Sequence, residues 1–176
     1  GVDILVNNAA YSAPPTPLQD EDEEAYLRTI NVGVSSAYRF MKRVFPLMKD
    51  KGGKIINFSS MAGIRGTKGA GAYAVAKAGV IGLTKVAAND WGEYGINVNC
   101  VVPMAMNDIW ASIVAKMPEG TSPTDAVGAR ATALGFVGEA DRHIAPAAVF
   151  LAGEDSDYIT GLVLPVDGGV TDLETK

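Results

Sequence analysis

Apolar and polar positions along the chain fall into two alternating kinds of run. Asp3 to Asn8 (DILVNN) is an apolar run entering a polar pair, the pattern of a buried strand that ends at a functional edge. A Pro-containing loop follows over 9–19. Asp20 to Asp22 offer an N-cap, with acids in the next turn, and the apolar positions Ala25, Tyr26, Ile30, Val34, Ala37 and Met41 carry a helix towards Met48. Gly52 and Gly53 stop it, and Lys54 to Phe58 (KIINF) reads as the next strand, followed by a loop of Ser59, Ser60 and several glycines. Ala72 to Trp91 is a long helix of small residues, in which Ala76, Gly79, Val80, Leu83 and Ala87 suit close packing. Ile96 to Val102 is a further apolar strand, interrupted by Asn97 and Asn99 and ended by Pro103. Beyond it, 108–117 reads as a helix, 119–135 as an irregular excursion, 140–151 as a helix and 159–166 as a last strand closed by Asp167, Gly168 and Gly169.

Strands that alternate with helices specify a parallel α/β sheet, doubly wound, with right-handed crossovers and helices on both faces. Ligands of such sheets bind beyond the carboxyl ends of the strands. Asn7 and Asn8, Ser59 and Ser60, and Pro103 and Met104 all fall at such ends.

Composition narrows the chemistry. The 176 residues make one domain or a large piece of one, and 48% hydrophobic content is enough for a core. A formal net charge of −5 with scattered Lys and Arg argues against a nucleic-acid partner. The single cysteine, Cys100, lies in an apolar run and reads as a buried thiol; one cysteine rules out a disulfide framework within the chain. With His143 the only histidine, neither a zinc site nor a His-based triad is expected, and no metal ligands are assigned. No run is apolar enough for a membrane span and no basic leader opens the chain, so a soluble, cytoplasmic protein is expected.

The candidate chemistry centres on Tyr73 and Lys77, four residues apart and so on one helix face. An ammonium beside a phenol, and the positive helix N-terminus, both favour the phenolate and are expected to lower the Tyr73 pKa. A phenol tuned in this way can give a proton to a carbonyl oxygen or take one from an alcohol. Ser60, just past a strand end, can hydrogen-bond the reacting oxygen, although Ser59 is equally placed by these arguments. Asn31 sits inside a helix, where Asn is mildly unfavourable; a buried amide there would hold a water and tie it to Lys77.

These pieces resemble the short-chain dehydrogenase/reductase family over nearly the whole chain. Asn7-Asn8-Ala9-Ala10 resembles its Asn-Asn-Ala-Gly element, Asn31 aligns with its helix asparagine, and Ile56-Asn57-Phe58-Ser59-Ser60 with the strand leading to its serine. Tyr73-Ala74-Val75-Ala76-Lys77 resembles its Tyr-x-x-x-Lys signature, and the family's spacing of thirteen from serine to tyrosine selects Ser60. Asn99 to Pro103 and Val166 to Gly169 resemble later family elements. The resemblance implies a Rossmann-like three-layer fold and NAD(P)-dependent hydride transfer between a nicotinamide and a secondary alcohol or ketone, with a 3-oxoacyl thioester as a narrower substrate. It implies catalytic roles for Asn31, Ser60, Tyr73 and Lys77. Asn8, Ala9, Ala10, Tyr73, Lys77, Pro103, Met104 and Met106 are the implied contacts to NAD or NADP.

The departures are specific. The family's glycine-rich Thr-Gly-x-x-x-Gly-x-Gly turn is absent from residues 1–176, which enter at the fourth family strand. The chain is thus read as the C-terminal catalytic part of one domain, unable to fold stably or turn over without the covering strands. Ala10 and Met104 stand where the family has Gly, and Asp108 where Thr is common, which bears on nucleotide binding and keeps open an impaired, regulatory member. Residues 104–135 are the expected substrate loop; Met106, Ile109, Trp110, Ile113, Met117 and Phe136 suggest an apolar wall. Arg130 and Arg142 are candidates for an acidic substrate by charge alone. The two long helices and the 159–169 segment resemble family interfaces, implying a homotetramer or homodimer.

Overall fold

The computed structural model describes residues 1–106, 115–116 and 132–171. Its centre is a parallel sheet of β1 (Ile4–Asn7), β2 (Gly53–Phe58), β3 (Ile96–Pro103) and a last strand, β6 (Val163–Val166), in the order β1-β2-β3-β6. All three pairings are parallel, with Val6 opposite Ile56, Ile56 opposite Asn99 and Val101 opposite Leu164. β3 is fully covered, with Val98, Cys100, Val101 and Val102 all at 0% exposure, as expected of a strand buried on both faces. β1 is at one end of the sheet and leaves Ile4 47% and Val6 50% exposed.

Period-two alternation sorts the core into two layers. On one face Ile55, Ile96 and Val98 pack against Met41, Val44 and Met48 of α2 (Ser36–Met48) and Ala87 and Ala88 of α4 (Gly71–Trp91). On the other, Ile56 and Val101 pack against Ile144 and Leu151, the latter on α5 (Ala145–Ala152). Each of the Ile, Val, Leu and Met side chains among them contributes about 1.5–3 kcal/mol on burial.

The helix expected from Asp22 to Met48 is in three parts. α1 (Glu23–Ile30) is capped by Asp22, whose carboxylate accepts the Ala25 N–H at 2.8 Å. Asn31–Ser35 then forms a wider π-turn before α2. Asn31, Val32, Gly33 and Val34 are all weak helix formers, so the ladder loosens where the sequence supports it least. The glycine-rich loop after β2 holds a short helix, α3 (Met61–Arg65), that its composition hid. A two-stranded parallel pair, β4 (Ala105–Met106) with β5 (Gly138–Glu139), was likewise not expected. Ala140–Ile144 is a π-turn leading into α5.

The last strand is shorter than the expected 159–166. Asn99 explains this: its Nδ2 donates to Ile159 O at 2.8 Å, and its Oδ1 accepts the Leu162 N–H at 3.0 Å. Asn97 also donates to Ile159 O, at 3.1 Å. The two asparagines that interrupt the apolar run of β3 hold the incoming segment by its main chain at Ile159 and Leu162, ahead of the strand proper. The expected helix over 108–117 lies outside the described residues apart from a turn at 115–116, as does the excursion up to residue 131.

Candidate active site

Helix α4 presents Tyr73 and Lys77 one turn apart. Lys77 is 4% exposed, and its Nζ donates to Phe58 O at the end of β2 at 2.8 Å. The same ammonium stands 5.6 Å from the centroid of the Tyr73 ring, so the expected shared face is observed.

The strand end and the loop after it lean on this turn. Ser59 is buried, and its hydroxyl donates to Lys77 O at 2.8 Å. Ser60 is half-buried. Its Oγ accepts the Ala62 N–H at 3.2 Å as the cap of α3, and its hydroxyl lies against the Tyr73 phenol. The structure thus separates two serines that physical reading of the sequence left equivalent: Ser59 faces the helix backbone and Ser60 faces the phenol. Gly63 permits the contact. A Cβ there would stand 2.6 Å from the Lys77 carbonyl carbon, closer than any side chain tolerates.

Electrostatics differ from expectation at Tyr73. Burial pushes its phenol above the usual 10.0, and the Ser60 hydroxyl offsets part of the rise. The expected lowering is corrected: burial is the largest influence on the phenol and raises it, with the Ser60 hydroxyl opposing. Burial pulls Lys77 below 10.5, opposed by the neighbouring Cys100 sulfur. Cys100, 0% exposed as the sequence suggested, is pushed up to about 11 by burial. A phenol held protonated can donate a proton, and a cation held dry beside it acts at close range.

Asn31 is exposed, at the first position of the π-turn, and its Oδ1 accepts from Arg39 Nη2 at 3.5 Å. The expected buried amide is corrected: its side chain is engaged at the surface and is not brought to Lys77. Asn8 and Ala9 do line one cleft with Phe58 and Lys77. Ala10 is exposed and does not line it. No described non-glycine residue has positive φ, so the Ala10 methyl carries no backbone strain. Pro103 ends β3, the Met104 N–H donates to Val166 O at 3.0 Å, and Met106 lies in β4; none of the three lines that cleft. Arg142 lies 3.7 Å from Glu139 in an exposed pair. Phe136 is 47% exposed, whereas Asp108, Ile109, Trp110, Ile113, Met117 and Arg130 lie outside the described residues.

One supporting chain escaped sequence reading. Asn7 Nδ2 donates to Asn57 Oδ1 at 2.8 Å, and Asn57 Nδ2 donates to Thr84 Oγ1 at 2.9 Å. These bonds tie the ends of β1 and β2 to α4 beneath the site, and Asn57 is 0% exposed. The signal was an asparagine inside the apolar run KIINF, which only pays where a buried partner exists. Among the described residues no cluster of His, Cys, Asp or Glu could hold a metal, and no helix is long and apolar enough to cross a membrane.

Comparison with known proteins agrees with this geometry. A family model described as enoyl-(acyl carrier protein) reductase matches residues 1–171. The chain is 34% identical over 169 residues to a 12alpha-hydroxysteroid dehydrogenase of a Clostridium species, covering 96% of this chain and 64% of the relative. It is 37% identical over 171 residues to a 3-oxoacyl-(acyl-carrier-protein) reductase of Chlamydia trachomatis, covering 96% and 65%. A solved short-chain dehydrogenase/reductase from Burkholderia xenovorans superposes with a TM-score of 0.85 at 30% identity, covering 99% of this chain and 66% of that one. The chain therefore spans just under two thirds of the length of these relatives. A parallel sheet carrying Ser60, Tyr73 and Lys77 at its carboxyl edge, matched along its length by these proteins, makes this chain a member of the short-chain dehydrogenase/reductase family.

Proposed function

We propose that the protein interconverts a secondary alcohol and a ketone with NAD or NADP, using Tyr73 as general acid and base. The observation that carries the reading is the juxtaposition of Tyr73, Lys77 and Ser60 at the carboxyl edge of the sheet, where parallel α/β folds bind ligands. Lys77 supports the fit of a dinucleotide, because its buried ammonium suits the ribose hydroxyls of a nicotinamide nucleotide; Asn8 and Ala9 share a small cleft with it that neither Tyr73 nor Ser60 lines. The bound nicotinamide would supply or accept the hydride.

The chain's own residues handle the proton and the geometry. Tyr73, kept protonated by burial, donates its phenolic proton to a carbonyl oxygen or receives one from an alcohol. Ser60 holds the same oxygen beside the phenol. Lys77 favours the phenolate that forms and orients the nucleotide, and Ser59 and Gly63 keep its helical turn in place. Asn31 is assigned to a water relay with Lys77, a role that requires its amide to leave Arg39. Ala10, Pro103, Met104 and Met106 are assigned to nucleotide contacts on the family resemblance, although none of them lines the cleft shared by Asn8, Ala9 and Lys77.

The named relatives act on a hydroxysteroid and on a 3-oxoacyl thioester, both secondary alcohol or ketone chemistry. Either class, presented as a small molecule, is a proposed substrate here. Exposed Tyr38, Phe40 and Leu47 on α2 and Val75 and Val86 on α4 support self-association into a homodimer or homotetramer. The test is turnover by the full-length protein of a 3-oxoacyl thioester and of a cyclic ketone, each with NADH and NADPH. Turnover with one nucleotide is expected. Nucleotide binding without turnover of either substrate would favour a regulatory member, and absence of both would overturn the reading.

A further inference from the structure

Helix α4 begins without a cap of its own. Its N-cap residue is Ala70, which has no side-chain oxygen to offer the free N–H groups of the first turn. The missing acceptor comes from far along the chain: Glu21 Oε1 accepts the Ala72 N–H at 2.9 Å, across 51 residues. Glu21 sits between the short turn Leu18–Asp20 and Asp22, the residue that caps α1.

Three further features fasten the same loop. Gly71 leaves room for the carboxylate: a Cβ there would stand 2.5 Å from Glu21 Oε2 and 2.9 Å from Leu18 Cδ1. The Thr16 N–H donates to Gly69 O at 2.9 Å, and Thr16 bridges Ala70 in parallel. At the loop's beginning Arg28 of α1 stacks on the Tyr11 ring at 4.3 Å. The loop leaves β1 through Asn8 and Ala9, which line the cleft with Lys77. It is thus pinned at one end to the cleft wall and at the other to the turn that carries Tyr73.

We propose that Glu21 is a positioning residue for Tyr73, capping the first turn of α4 from the loop after β1 so that the cleft wall and the phenol keep a fixed relation. The proposal rests on the reading of Tyr73 as the acid and base. Glu21 touches neither substrate nor nucleotide in it; it acts through the Ala72 amide, one residue before Tyr73. Losing the cap lets the first turn fray, which displaces the phenol more than it displaces Lys77, a turn deeper and buried.

The experiment compares Glu21→Ala, Glu21→Gln, Gly71→Ala and the Glu21→Ala/Gly71→Ala double variant in the full-length protein, with Tyr73→Phe alongside. In Glu21→Ala, kcat is expected to fall about tenfold while KM for the nucleotide moves less than about twofold. Glu21→Gln keeps an oxygen that accepts the Ala72 N–H and is expected to restore kcat. In Gly71→Ala the new methyl evicts the flexible end of Glu21, reproducing the loss without deleting the residue. It should then add nothing in the Glu21→Ala background. If Glu21→Ala proves too unstable to assay, Gly71→Ala carries the test, because only the far end of a side chain has to move. Unchanged kcat in Glu21→Ala or in Gly71→Ala, or a Glu21→Gln variant as slow as Glu21→Ala, would overturn the proposal. Full activity in Tyr73→Phe would overturn the underlying reading as well. An inactive Tyr73→Phe beside an unaffected Glu21→Ala would remove Glu21 alone.

Discussion

The Ser59 hydroxyl donates a 2.8 Å hydrogen bond to the main-chain carbonyl of Lys77, while its neighbour Ser60 turns to the Tyr73 phenol. Adjacent residues at one strand end thus do different work, and their alanine variants should separate. Ser59→Ala removes a buried second hydrogen bond to a carbonyl that the helix still serves, and should cost about 0.5–1.5 kcal/mol of stability. Ser60→Ala should lower kcat about a hundredfold by releasing the reacting oxygen, and cost only about 1 kcal/mol through the lost α3 cap. Denaturant midpoints and steady-state kinetics on the two variants check the split.

Gly63→Ala should be more disruptive than a single methyl suggests. The methyl would meet the Lys77 backbone, which cannot step aside as a side-chain tip can. A destabilisation of about 1–3 kcal/mol is expected, with α3 and Ser60 pushed off α4 and kcat reduced. Thermal unfolding and kinetics on the same preparation would show both effects.

Stability should rise with pH on account of Lys77 between its lowered folded pKa and 10.5. Its folded pKa lies below 10.5, so between that value and 10.5 the unfolded chain binds more protons than the folded one. The sign reverses for Tyr73, whose raised pKa makes the folded state lose stability as pH climbs past 10.0. Lys77→Met should flatten the first slope and leave the second. Urea midpoints measured against pH for the parent protein and Lys77→Met test this.

The alternation of strands and helices was legible because apolar periodicity reports burial directly: β2, β3 and α4 fall within a residue or two of their expected bounds. What remained hidden depended on partners distant in sequence. The clamp of Asn99 on Ile159 and Leu162 arises from contacts that no local pattern encodes. α3 was masked by the glycine of its own sequence, MAGIR, which close packing on Lys77 requires. The Tyr73–Lys77 face was visible from spacing alone. The direction of the Tyr73 shift was not, because desolvation depends on the packing around the phenol and spacing reports only the neighbour. The exposure of Asn31 was hidden for a related reason: its place in a helix says nothing of which way the amide turns, and here its Oδ1 meets Arg39 at 3.5 Å.

The most direct test of the central claim is single-turnover hydride transfer, followed by nicotinamide absorbance, in the full-length protein and its Tyr73→Phe variant. The account predicts that Tyr73→Phe binds the nucleotide as the parent does and transfers hydride at least about a thousandfold more slowly. Transfer at the parental rate in Tyr73→Phe would contradict it.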